Sequence, residues 1–287
     1  MIAILKHELK LYFTSLTAYI FGAFLLVFVG IGSMLYNLQA AVSNFEFVLS
    51  FSSVIFVVIV PILTMRVIAE ERKQRTDQLL YSLPMSTTKV IMGKYLALLF
   101  VYLIPLCVIA VYPWIFSQYG DVYMMTSYGS LFAFFMMGAA LIAVGVFISS
   151  LTDNQGFAAG IGIAVVLFNY FSVKLAEYVS ATAFGSAVVL VVCVVILGWI
   201  IHHLTKNDAL SFGTGIVLCV AIAITYFVDS SKFEGLVPNI MKKLSLFDRL
   251  NTFVNGVFDM TAVVYFLSVI VFFLFLSIQS LEKRRYN

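Results

Sequence analysis

The chain has 287 residues, 62% of them hydrophobic and 11% charged, with a mean hydropathy of +1.06 and a formal charge of +3. A soluble domain carries about 25% charged residues, so this composition excludes one and describes an all-α polytopic membrane protein. The basic residues sit beside apolar runs rather than along one solvated face, which excludes a nucleic-acid partner and reads as a set of membrane-orientation signals.

Residues 1–15 place Ile2, Leu5, Leu9 and Tyr12/Phe13 at helical spacing, with Lys6, His7, Glu8 and Lys10 largely elsewhere, which predicts an interfacial helix. The run that follows lacks a small-x-small cleavage pattern, so the first span is expected to stay in place. Crossing a bilayer takes about 20 apolar residues, and charge-free runs predict eight spans: 16–38, 47–65, 95–120, 122–152, 156–173, 181–201, 209–228 and 260–281. Pro61 predicts a kink near the inner end of the second span. Small residues at Gly156, Gly160 and Gly162, and at Gly138, Ala139, Ala140 and Gly145, predict close helix contacts, with spans four and five packed on each other.

Eight spans put both termini on one side. Residues 1–15, 66–94, 202–208 and 282–287 carry nearly all the basic charge on that side, which the positive-inside rule makes cytoplasmic. The exception is 229–259, where Lys232, Lys242, Lys243 and Arg249 are balanced by Asp229, Glu234, Asp248 and Asp259. Its apolar residues recur at helical spacing and predict an external amphipathic helix pair, suited either to a surface-lying connector or to a gate dipping between spans.

Several chemistries lack their residues. No predicted span carries Asp, Glu, Lys, Arg or His near its centre, so an ion-coupled carrier and a paired-aspartate intramembrane protease lose their usual groups. Cys107, Cys193 and Cys219 show no paired spacing, and His202-His203 point about 100° apart on a helix without a supporting cluster, so no metal site is expected. No G-x-x-x-x-G-K-[ST] is present, so the chain binds no nucleotide by a P-loop and is not itself an enzyme; ATP-driven work requires a partner.

Residues 66–94 hold Arg66, Arg72, Lys73, Arg75, Lys89 and Lys94, over a third of the 17 basic residues. Glu70 to Arg75 extends the second span; Thr76 can cap a new turn that opens with Asp77. Gln78 to Leu83 then forms a short helix with Leu79, Leu80 and Leu83 on one face, and Pro84 ends it. Ser86 or Thr87 can cap the helix leading into the third span. The pattern suits a docking element; an interfacial loop with snorkelling lysines is the plainer reading.

These residues resemble a known family. Glu70-Glu71, Thr76, Leu79-Leu80, Leu83-Pro84 and Gly93-Lys94 look like the cytoplasmic loop of type-2 ABC-transporter permeases, and Ser150-Leu151-Thr152-Asp153-Asn154-Gln155 extends the likeness. Leu244-Ser245-Leu246-Phe247, Gly256-Val257-Phe258-Asp259 and Leu281-Glu282-Lys283-Arg284-Arg285 look like the gliding-motility-associated branch. The resemblance implies a permease in a bacterial cytoplasmic membrane that dimerises with a second copy or a paralogue and binds two cytoplasmic ABC ATPases, which hold the ATP and Mg²⁺. It implies a coupling helix at 76–83, docking through the 66–94 loop and Asp153-Asn154, and an elbow helix at 1–15. Family members commonly have six spans, so the pair at 181–228 departs from the pattern. Abundant Phe and Tyr suit a lipid-like or peptide cargo; a second class of function is a non-transporting scaffold or force-transmitting subunit driven by the same kind of ATPase.

Overall fold

The structure is a computed structural model describing residues 2–75, 86–205 and 208–286. Every regular element among them is helical: α1 (Ile2–Thr14), α2 (Thr17–Ser33) with a π-helical end (Met34–Gln39), α3 (Glu46–Ser52), α4 (Phe56–Thr64), α5 (Ala69–Lys73), α6 (Thr87–Ile109), α7 (Tyr112–Phe116), α8 (Met124–Leu151), α9 (Gln155–Tyr178), α10 (Ala183–Thr205), α11 (Asp208–Val228), α12 (Leu236–Leu244), α13 (Leu246–Val254) and α14 (Met260–Tyr286).

Six helical stretches among the described residues are long and apolar enough to cross a membrane: Thr17–Gln39, Glu46–Lys73, Thr87–Phe116, Met124–Leu151, Gln155–Tyr178 and Met260–Arg284. Ile216–Tyr226 and Ser230–Leu244, bent by 116°, make a seventh if counted as one span. The expected spans at 16–38, 47–65, 95–120, 122–152, 156–173 and 260–281 coincide with these six. Both helices expected at 181–228 form, as α10 and α11, and residues 206 and 207 between them lie outside the described residues.

The chain divides into two compact units, residues 1–170 with 249–287 and residues 171–248; α9 and α13 run across the boundary. In the first unit α8 is the core helix, with 83% of its most apolar window buried, flanked by α14, α4, α6 and α3. Aromatic rings fill its centre: Phe56 lies 4.7 Å from Phe134, and edge-on to Tyr102 at 5.7 Å. The Tyr102 hydroxyl donates to the Phe134 carbonyl at 2.8 Å, which satisfies the polar tip of a fully buried ring.

The glycines of α8 receive side chains from α6 and α4. A Cβ on Gly138 would lie 2.5 Å from the Tyr102 ring, and one on Gly145 would fall on the Thr64 hydroxyl. The small faces of spans four and five predict a contact between the two; α8 instead spends its face on Tyr102 and Thr64. Gly162 of α9 rests on Pro61, where an added Cβ would lie 3.0 Å from the proline ring. Gly156 meets the Asn154 side chain at 3.4 Å, and Gly160 faces open space.

In the second unit α10 and α11 pack together, and the turn Ser230–Phe233 and α12 pack on α10. Tyr226 and Phe233 rings meet at 5.8 Å. Gly235, at φ 66°, turns the chain into α12 while its N–H donates to the Ala181 carbonyl at 2.8 Å. That left-handed conformation is one glycine adopts without steric cost.

Gly138→Ala is expected to destabilise the protein by about 1–3 kcal/mol, because Tyr102 is pinned by its hydrogen bond and cannot move aside. Gly160→Ala is expected to cost nothing measurable. Thermal unfolding of the two variants in detergent checks the contrast.

Candidate functional site

The site is built where the basic segments converge. Helix α6 starts at Thr87 after Ser86, whose extended backbone (φ −74°, ψ 142°) ends the preceding chain. The Ser86 carbonyl accepts from Lys89 and Val90, but its hydroxyl makes no capping bond, so the predicted cap is a backbone one. Farther along α6, Lys94 turns inward and is 2% exposed.

Its ammonium donates to Glu8 Oε1 at 2.6 Å, to Glu71 Oε1 at 2.6 Å and to the Val67 carbonyl at 3.0 Å. An ammonium has three donors, and all three are used. Removal of one partner from such a buried arrangement leaves an uncompensated charge, which is far costlier than the pair's net worth.

Glu8 reaches Lys94 from α1, a partner that the predicted interfacial helix did not include. The buried stripe is Ile4, Glu8 and Tyr12, spaced four apart, while Ile2, Leu11 and Phe13 are exposed. The reason is a partner far away in sequence: α1 packs on α6, and the acidic residue follows the lysine inward. Burial, with Glu8 nearby, pushes the Tyr12 hydroxyl well above its ordinary pKa, so the phenol stays neutral beside the ion pairs.

The second span holds this site through a break in its own ladder. The helix runs on through Pro61 to Thr64, and the interruption falls at 65–68 rather than at the proline. Ser149, near the end of α8, fills it: its hydroxyl accepts from the Ile68 and Ala69 amides at 3.1 Å each and donates to the Met65 carbonyl at 3.1 Å. Beyond the break, Arg66 pairs with Glu70 through two hydrogen bonds at 2.7 and 3.0 Å and reaches Thr17 at 3.2 Å. Helix α5 stops at Lys73, and Arg75 is exposed and left-handed at φ 56°.

A second polar cluster ties the turn after α8 to the C-terminal helix. Arg284 donates to Asp153 Oδ1 at 2.9 Å and to the Leu151 carbonyl at 3.3 Å, and Ser280 donates to the Ser150 carbonyl at 3.0 Å. The buried Arg72 guanidinium approaches the same Asp153 at 3.8 Å. Asn154 caps α9, its Oδ1 accepting from Gly156 at 2.9 Å and Phe157 at 3.3 Å.

Of the residues singled out in sequence, Glu70, Glu71, Asp153 and Asn154 thus lie in this layer, and Arg75 is exposed at its edge. Thr76, Asp77, Gln78, Leu79, Leu80, Leu83 and Pro84 lie outside the described residues. Sequence reasoning missed Glu8, Ser149 and Arg284 as partners. The signals available were the four-residue spacing of Glu8 with Ile4 and Tyr12, and the Ser149-Ser150 pair ending an apolar helix.

Residues 33–173, about half the chain, match the family model described as ABC-2 family transporter protein. No curated protein and no solved structure matches. The match stops short of the C-terminal residues that resemble the gliding-motility-associated branch.

Lys94→Met is expected to destabilise the protein by about 3–5 kcal/mol by leaving the buried Glu8 carboxylate without its cation, whereas Glu8→Gln leaves Lys94 paired with Glu71 and costs about 1–3 kcal/mol. Combining them should cost less than the sum, since the double variant leaves no buried Glu8 charge to strand. Denaturant unfolding in micelles reads all three, and a Lys94→Met loss below about 1 kcal/mol would show the clamp to be weak.

Proposed function

Taking the chain as a type-2 ABC-transporter permease, the family that residues 33–173 match, we propose that it is the transmembrane subunit of an ATP-driven exporter. A separate cytoplasmic ABC ATPase carries the ATP and Mg²⁺, the 76–83 segment docks into it, and a second permease copy or a paralogue completes the path. The membrane is the bacterial cytoplasmic one, with both termini inside, and the cargo class that suits the aromatic-rich spans is a lipid-like or peptide molecule.

The observation that supports this reading is the Lys94 clamp. Glu71 lies shortly before Thr76 and Lys94 shortly after Pro84, so the two stalks of the docking segment are joined to each other and to α1 by one buried ammonium. A push on the segment is then passed to spans two and three together instead of being absorbed by one stalk. Coupling of this kind needs an element with two arrangements that the docked partner biases, and the interruption at 65–68 supplies a place for span two to change direction.

A force-transmitting role toward an external partner is the second reading, and contacts at the other end of the first unit favour it. Ser50 donates to Asn251 at 3.0 Å, Arg249 pairs with Asp259 at 3.7 Å and lies 5.3 Å from the centre of the Tyr265 ring. Movement of span two would therefore reach 249–259. ATP-dependent substrate movement in vesicles supports export; ATP-dependent binding of an external partner without movement supports the second reading.

Leu79→Asp or Leu83→Asp is expected to abolish co-purification of the ATPase while the permease remains monodisperse and folded in detergent, because a carboxylate cannot be buried in an apolar docking face without a partner. Retained ATPase binding by both variants rules out docking through this face.

A further inference from the structure

A cleft of about 650 Å³ opens between α1 and the second span beside the Lys94 clamp. We propose that it holds the headgroup of an ethanolamine phospholipid from the same leaflet, an assignment that is independent of the cargo and of ATPase docking.

The charge in the cleft selects a cation. Three carboxylates, Glu8, Glu70 and Glu71, line it with two cations, Arg66 and Lys94. Lys94 has no donor left for a ligand, since Glu8, Glu71 and Val67 take all three. Glu8 and Glu70 keep acceptor capacity, because a carboxylate offers about four lone-pair sites and they accept one and three bonds. A primary ammonium satisfies them by donating hydrogen bonds, which are strong when charge-assisted.

The neighbouring cation selects a phosphate. Arg66 has five N–H donors, of which Glu70 takes two and Thr17 a third, so the guanidinium is held in place with donors to spare. It lies in the same wall as the carboxylates. An anion and an ammonium joined by a short linker fit that pair of groups.

The apolar surroundings select a lipid over a soluble molecule. Leu11, on the cleft wall, is 50% exposed, and Leu16 and Tyr19 beside it are 75% and 59% exposed. Acyl chains attached to the headgroup would lie along these side chains and on along the exposed Ile20 and Phe24 of α2. Other headgroups fit worse. A trimethylammonium has no N–H to donate and is held by aromatic faces, of which the cleft has, among the described residues, only the largely buried Tyr12. A glycerol headgroup brings no cation, and a serine headgroup adds a carboxylate to a cleft already lined by three.

Short-chain lipids of ethanolamine, choline and glycerol headgroup, titrated into the purified full chain in detergent and read by native mass spectrometry, test the assignment. The expected result is ethanolamine binding at least about tenfold tighter than the other two, the equivalent of one charge-assisted hydrogen bond. Arg66→Gln should bring the three within about twofold of one another. Equal binding of the ethanolamine and choline lipids by the unaltered protein overturns the proposal, as does soluble phosphoethanolamine binding as tightly as the lipid.

Discussion

One ammonium group decides how the basic end of this protein is arranged. An isolated charge in a low-dielectric interior is costly enough that it is found paired or not at all. Lys94 answers by drawing in a carboxylate from α1, another from α5 and a carbonyl from the break between α4 and α5. Three stretches of chain are thereby placed relative to α6. Arg66 with Glu70, Ser149 in the break and Asp153 with Arg284 extend the same polar layer outward from it.

The core beneath is held by different means. Apolar side chains gain little from leaving lipid for protein, so helices in a membrane associate through close packing and a few hydrogen bonds. Gly138 and Gly145 let Tyr102 and Thr64 come against the backbone of α8, and the Tyr102 hydroxyl closes on the Phe134 carbonyl. Packing sets the middle of the unit, and ion pairs set its end. The two depend on each other because α6 contributes Tyr102 to one and Lys94 to the other.

What could be read from the amino acids follows the range of each interaction. Helices, their approximate limits and the small-residue surface of α8 are written in local patterns, and so is the cap at Asn154. Which helix receives a smooth surface is not, which is why Gly138 and Gly145 meet α6 and α4 rather than α9. Lys94 was legible as a charge and Glu8 as part of a polar face, but their pairing spans 86 positions. The Asp153–Arg284 contact spans 131. Counting charge-free runs placed the helices at 181–228 and ended the second at Val228, where the chain bends.

The break at 65–68 has a mechanical consequence that comes from Ser149. Backbone amides freed in the membrane find no water, and each lost hydrogen bond there is costly. An ordinary helix would resist bending for that reason. Here the freed amides of Ile68 and Ala69 and the carbonyl of Met65 all share one hydroxyl. A hydroxyl rotates about its own bond and can keep its partners over a range of angles, so it works as a swivel bearing. The second span can change its pitch at this point while the ladder above and below stays closed, and a lever needs a pivot of that kind.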